Sequence, residues 1–217
     1  MSLISAIDES ISLVGNEKVI SYGLVLGDLS NLLISYDILR KRYFTYYKRT
    51  FGKEYPYREL KFSNLLRDSV KNGIELNYVI KSFVFPSLYE LKDYCICRSI
   101  LFKKRMEDKV IEIAGLSHLR GYKIRSLLIS SILNILLYDI RKCEVRYDKG
   151  LLLKPREIEI ILARMNKKFR LIQKDSISEP IIQIADFLAG ISKFIKIRNA
   201  YWDKNLFFIF INKRAIQ

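Results

Sequence analysis

A chain of 217 residues, half of them apolar, can bury a substantial core, as one large domain or as a domain with a sizeable insertion. A single histidine, His118, excludes histidine-rich metal sites, two-histidine nucleases and H-E-x-x-H proteases, and Cys95, Cys97 and Cys143 lack the further Cys or His ligands of a tetrahedral site and read as core thiols. Thirty-eight Lys and Arg against 23 Asp and Glu leave +15, a field that attracts polyanions, nucleic acid foremost, and any catalysis falls to carboxylates.

The N-terminal "MSLISAIDES" has no basic lead and no long apolar block, so no secretion signal is expected and the protein reads as cytoplasmic. "LISAIDES" and "VISYGLVLG" are short apolar runs around Gly15-Asn16, the pattern of an antiparallel hairpin. Ile4, Ala6 and Asp8 then share one face of the first strand. A helix is predicted from about Leu29 to Lys48, followed by the Gly- and Pro-containing loop "FGKEYPYREL". Residues from about Asn77 to Phe85 read as extended, with Pro86-Ser87 leading into a long helical stretch that ends near Ile113. "GLSHLRGY" reads as the loop entering an apolar helix, Tyr122 to Arg141; its longest apolar run, Leu127 to Leu137, is about eleven residues, short of the roughly 20 that span a bilayer. "CEVRYD" reads as a strand, "KPREIEIILARMNKK" as a helix and "KFRLIQ" as another strand. Ser178 is placed to cap the final helix, with Glu179 and Pro180 in its first turn. "NLFFIFINKR" has strand character and offers a sheet edge at which a second copy of the chain can pair as a homodimer. No repeat or linker is evident, so residues 1–217 are expected to form one domain, with about 28–115 as a helical insertion region.

The positive charge is concentrated in "RKRYFTYYKRTFGKEYPYRELK", which holds eight basic and seven aromatic residues against two acids. Arg40, Lys41, Arg42, Lys48, Arg49, Lys53, Arg58 and Lys61 would neutralise phosphates while the Tyr and Phe rings stack on unpaired bases. The competing reading is a helix whose rings face the core and whose cations are solvated. Lys61 by itself is read as an exposed lysine.

Three acids form a pattern. Asp8 ends the first strand, Asp148 ends a later one, and Asp186, in "IIQIADFLAG", lies on a helix face with Ile182, Ala189 and Gly190, which normally turn to a core. Clustered carboxylates lose hydration and repel one another, so without a cation they cost stability or take up protons. Hard oxygen ligands suit Mg²⁺ or Mn²⁺, and two such ions about 3.5–4 Å apart can activate water on a phosphodiester.

"AIDES", "RELKFSNL" and "IIQIADFLAG", in that order, resemble the bacterial and archaeal family catalogued as domain of unknown function 3800, which is similar to the ribonuclease H fold. The resemblance covers Leu3 to about Lys196. It implies an α/β fold, a mixed five-stranded sheet flanked by helices, with acids gathered at the sheet. Carried across, Asp8 is the first-strand acid, Glu59 the second ligand, Asp148 the acid of the fourth strand and Asp186 that of the closing helix. Ala185, Ala189 and Gly190 would be small so that this helix lies close to the sheet. Family members often have Gly after Asp-Glu-Ser where this chain has Ile11, which leaves Glu9 as an alternative to Glu59. Glu144 shares a strand face with Asp148 and is an alternative to it; Asp139 and Asp175 are further candidates. The expectation is a metal-dependent nuclease or related phosphoryl-transfer enzyme, with Asp8 bridging two ions, or a nucleic-acid-binding protein that keeps the fold without cleavage. A purely structural or partner-binding role is the third possibility.

Overall fold

A computed structural model describes residues 3–119, 121–195 and 206–211. Strands β1 (Ile4–Val14) and β2 (Glu17–Gly27) form the expected hairpin, Val14 pairing with Glu17 across a two-residue turn in which Gly15 takes φ +60°. That positive φ at the first central position is what a tight hairpin turn of the II′ kind requires. Asp28 caps α1 (Leu29–Phe51) by accepting from the Asn31 amide, and Gly52 closes it in the left-handed region with φ +67°.

Helix α2 (Phe62–Lys71) follows a short loop. Next, α3 (Leu76–Val79) runs through a π-helical turn (Ile80–Val84) into α4 (Phe85–Leu91). Residues 77–85 are therefore helical, not extended. Val79, Ile80, Phe83, Val84, Ser87 and Leu88 are buried, and their three- and four-residue spacing is the helical period hidden within a β-branched, aromatic-rich run. The expected long helix from Pro86 to Ile113 is likewise corrected. Strand β3 (Ile96–Lys103) interrupts it, buried on both faces and so without the alternation that marks a half-exposed strand, before α5 (Glu107–Ile113). Helix α6 (Ile124–Leu136), β4 (Lys142–Asp148), α7 (Pro155–Ala163), β5 (Lys168–Lys174), α8 (Pro180–Ile195) and β6 (Leu206–Ile211) complete the order. Helix α8 begins one residue later than expected: Asp175 O accepts from both the Ser178 and Glu179 amides, and Ser178 Oγ turns back to Asp175 O at 3.2 Å.

The strands run in the order β5-β4-β1-β2-β3-β6. Antiparallel β1-β2-β3 is flanked by parallel β4 and β5 on one side and parallel β6 on the other. The first five form the expected mixed five-stranded sheet, and β6 adds a sixth strand along β3. Because side chains alternate, the sheet separates two cores. Ile4, Ala6, Val25 and Cys97 pack with α1, α2, α4 and α8 on one face. Ile7, Leu24, Phe102, Val145 and Tyr147 pack with α5, α6 and α7 on the other. All three cysteines are buried free thiols, as their apolar surroundings favour. Among the described residues no helix is long and apolar enough to cross a membrane.

Candidate active site

Two acids meet where parallel strands run side by side. The register pairs Ile4 with Glu144 and continues to Ile7 with Tyr147, so the next residues along β1 and β4 are Asp8 and Asp148. Asp8 has the parity of Ile4 and Ala6 and Asp148 that of Glu144 and Arg146, which puts both on the α8 face. Asp8 Oδ1 accepts the Glu9 amide at 2.8 Å. Asp148 is more fully engaged: Oδ2 accepts the Gly150 amide at 2.8 Å and Oδ1 the Ser176 amide at 3.0 Å, tying the end of β4 to the loop before α8.

Helix α8 brings the third acid. It lies across β1, β2 and β3, and its approach depends on Gly23, the residue paired with Asp8 in the hairpin. A Cβ at Gly23 would stand 2.2 Å from Ala185 O and 2.4 Å from Ala189 N, so helix backbone and strand backbone are in direct contact there. Ser21 Oγ, on the same strand face, donates to Ala189 O at 2.7 Å. Ala185 and Ala189 are small for the reason expected. Gly190 is not: a Cβ there would meet Phe62 Cβ at 3.0 Å, so it makes room for α2 rather than for the sheet. With the helix seated this way, Asp186 lies within the electrostatic reach of Asp8, Glu59 and Asp148.

Glu59 and Lys61 enter from the loop before α2. Buried Leu60 donates its amide to Gln183 Oε1 at 2.9 Å, Gln183 Nε2 donates to Ser176 O at 2.9 Å, and Tyr55 Oη donates to Glu59 O at 2.9 Å. These bonds anchor the segment to α8 one turn before Asp186. The flanking side chains meet each other: Lys61 Nζ is 2.7 Å from Glu59 Oε2, and Ser176 Oγ is 3.4 Å from Glu59 Oε1. Lys61 is only partly exposed and faces the acids, correcting its reading as a solvated lysine.

The electrostatics follow from this packing. Burial is the largest influence on Asp8 and pushes its carboxyl up to about 8; the charges of Asp186 and Asp148 add to the rise, while the Glu9 amide and Lys61 oppose it. Burial likewise pushes Asp186 up to about 6, with Lys61 opposing and Glu59 and Asp148 reinforcing. Sequence reasoning missed Tyr43 of α1, which is fully buried, lies in the field of Asp186, and has a hydroxyl with no hydrogen-bond partner among the described residues. The only sequence signal for it was a tyrosine at a core-facing helical position.

In kind, oxygen donors from Asp8 and Asp186 fit a hard divalent cation, which would offset the burial and the like charges that raise their affinity for protons. In placement the set is open: among the described residues no three Asp, Glu, His or Cys side chains stand close enough to enclose an ion. Asp148 is held by two backbone amides and Glu59 by Lys61.

The remaining candidates lie elsewhere. Glu9 has the parity of Ile7 and points to the opposite face, where Arg125 Nη2 donates to it at 2.9 Å, so it does not stand in for Glu59. Glu144 shares the α8 face as expected but is tied, together with Glu179, to Arg146 at 2.7 and 2.9 Å. Asp139 is held by both terminal nitrogens of Arg98 at 2.7 and 2.8 Å, and Asp175 by Lys149 at 2.7 Å. His118 is exposed in the turns between α5 and α6.

The expected base-stacking surface is corrected as well. Tyr43, Tyr46, Tyr47 and Tyr55 are buried in the core between α1, α4 and α8, where Tyr43 makes edge contacts with Phe83 at 4.7 Å and with Phe187 at 6.1 Å. The rings recur at helical spacing because they form the inner face of α1. Its cations lie outside: Arg42 pairs with Glu90, Lys48 with Glu54 at 2.8 Å, and Arg40 lies over the Phe44 ring at 5.2 Å. Lys41, Arg42 and Arg49 line a cleft of about 460 Å³ with Tyr46, Tyr78 and Ser82. Lys53 and Arg58 are exposed on the following loop.

No family model matches this chain, and no curated protein does. Among solved structures it is similar to ribonuclease H2 from Pyrococcus horikoshii OT3, at 11% identity and a TM-score of 0.46 over 94% of this chain and 80% of that one. It is also similar to ribonuclease HII of Archaeoglobus fulgidus, solved in complex with PCNA, at 13% identity and a TM-score of 0.39 over 94% of this chain and 81% of that one. Neither likeness bears on the chemistry of this chain, which rests on its own side chains.

Proposed function

We propose that this chain is a phosphoryl-transfer enzyme of the nuclease kind, acting on nucleic acid at the centre formed by Asp8 and Asp186. The observation that carries the reading is the placement of two partly buried carboxyls within electrostatic reach of each other, with burial raising the affinity of both for protons: Asp8 in the middle of β1, not at its end as expected, where the pairing with β4 stops, and Asp186 on the helix across it. Carboxyls whose titration is shifted by burial and a charged neighbour cluster at functional sites. Asp8 and Asp186 would hold a Mg²⁺ or Mn²⁺ ion in place of those protons, and such an ion, when bound, supplies the positive charge that polarises a phosphodiester. Asp148 fixes the β4 end and the Ser176 loop, and Glu59 with Lys61 forms the wall toward α2. The overall +15 charge would hold the nucleic acid against this face.

Cleavage of single-stranded and duplex DNA, RNA and RNA–DNA hybrid, each with Mn²⁺, Mg²⁺ or chelator, tests the reading. We expect cation-dependent cleavage of at least one substrate. Asp8→Asn and Asp186→Asn should each lose about a hundredfold or more while retaining binding, since even outer partners of metal ligands cost 10–100-fold. Equal rates in these variants would refute the assignment. The openness of the acid set favours one second reading, a binding protein on the same fold: it predicts tight, salt-sensitive binding of nucleic acid and no cleavage under any cation.

A further inference from the structure

Among the described residues, the acid centre carries one positive group of its own. Lys61 Nζ contacts Glu59 Oε2 at 2.7 Å, and its charge acts on both Asp8 and Asp186. The other basic side chains near this face are committed elsewhere: Arg146 to Glu144 and Glu179, and Lys149 to Asp175. The ammonium is held there by construction. Leu60 is buried and bonded to Gln183 of α8, and the Lys61 amide donates to Glu59 O at 3.1 Å, a tight turn that keeps residues 59 and 61 together beside it. Lys61 is also the residue from which α2 starts, so its backbone is fixed, while its four-carbon stem has the rotatable bonds to reach another position once the Glu59 contact is released.

We propose that Lys61 is a displaceable internal counter-ion, occupying the place of a divalent cation among Glu59, Asp8 and Asp186 and leaving when such a cation enters. The inference rests on the reading of Asp8 and Asp186 as the cation-holding pair. It accounts for one fact that this reading alone leaves open. The ligand set is not closed, because Glu59, its candidate third member, is engaged by the ammonium. The Tyr43 hydroxyl, buried within the field of Asp186, has no hydrogen-bond partner among the described residues. Displacement frees Glu59 to turn toward the acids and frees Lys61 to reach outward, where its charge can meet a phosphate. An ammonium and a divalent ion a few ångströms apart repel strongly enough that both do not stay in the centre.

The test is Mn²⁺ affinity, read by the loss of the free-ion electron paramagnetic resonance signal near neutral pH. It compares wild-type protein, Lys61→Gln, Lys61→Arg and the Asp8→Asn, Asp186→Asn double variant, each checked for folding by circular dichroism. Lys61→Gln should bind Mn²⁺ about tenfold or more tightly than wild type, as removal of one unit charge beside the ion requires, and Lys61→Arg no more tightly than wild type. Equal or weaker binding by Lys61→Gln, with binding abolished in the double variant, would overturn the counter-ion role and leave the acid pair standing. Absence of Mn²⁺ binding in wild type and Lys61→Gln alike would overturn both. Should Lys61→Gln not fold, the ¹⁵N resonance of the Lys61 ammonium in wild type decides. Added Mg²⁺ should move it from a restrained, paired signal to a free one, and an unmoved signal would overturn the proposal.

Discussion

At Asp8 and Asp186 the cost of the site is visible in single carboxyls. Their titration is pushed up to about 8 and about 6, while in an unfolded chain both sit near 4. Between those limits the folded, metal-free protein holds protons that the unfolded chain releases, so the contribution of these groups to stability is greatest below about pH 4 and falls as pH rises toward 8. Asp8→Asn removes the larger part of that fall. Thermal unfolding in the presence of chelator should give the variant a higher Tm than wild type at about pH 8 and no advantage at about pH 4; the same difference at both would mean that Asp8 titrates normally. A cation that replaces the protons reverses the slope, so Mn²⁺ should bind more tightly as pH rises. Asp8 and Asp186 were legible as candidates because an acid among apolar neighbours at strand or helix spacing is conspicuous. Lys61 and Tyr43 were not, since a lysine and a tyrosine look ordinary until the fold sets them beside those acids.

At the scale of elements, everything turns on α8 lying flat against the hairpin at Gly23. A methyl group there meets two backbone atoms of α8, Ala185 O at 2.2 Å and Ala189 N at 2.4 Å, and neither can rotate away. Gly23→Ala should therefore cost about 3 kcal/mol, the upper range for overpacking, and weaken cation binding by lifting Asp186 from Asp8. Gly190→Ala meets only Phe62 Cβ at 3.0 Å and gains helix propensity, so the two effects should nearly cancel. Urea unfolding of both variants checks the contrast, and similar losses in the two would contradict the packing described. The hairpin, β4, α7, β5 and α8 were readable because each carries its own turn, cap or period. Residues 77–85 and 96–103 were misread for different reasons. In 77–85 the helical period of buried Val79, Ile80, Phe83 and Val84 is masked by a β-branched, aromatic-rich composition, whereas in 96–103 burial on both faces removes the alternation that marks a strand. Glu9 illustrates the limit at finer grain. Adjacent to Asp8 in sequence, it is sent to the far side of the sheet by a one-residue change of parity.

For the whole molecule, charge and burial divide the Arg40–Lys61 segment between two tasks. The tyrosines build the core and the cations stay outside, with Lys41 and Arg49 lining the cleft beside the π turn. Nucleic-acid binding should accordingly be electrostatic. Affinity should fall steeply with added salt, and Lys41→Ala with Arg49→Ala should weaken binding across sequences and lower the magnitude of the log–log salt slope by about 1–2. Tyr47→Phe, by contrast, removes a buried hydroxyl that donates to Asp68 at 2.7 Å and should affect stability alone. An unchanged slope in the double variant would place the polyanion on another face. The claim on which the rest depends is that the eighth and one-hundred-eighty-sixth residues form one carboxylate centre able to take a cation. A crystal grown with Mn²⁺ and measured at the manganese absorption edge tests it most directly. The account predicts an anomalous peak within about 2–2.5 Å of oxygens from both Asp8 and Asp186, with Lys61 turned outward. Absence of a peak there, with Lys61 still bound to Glu59 at saturating Mn²⁺, would contradict it.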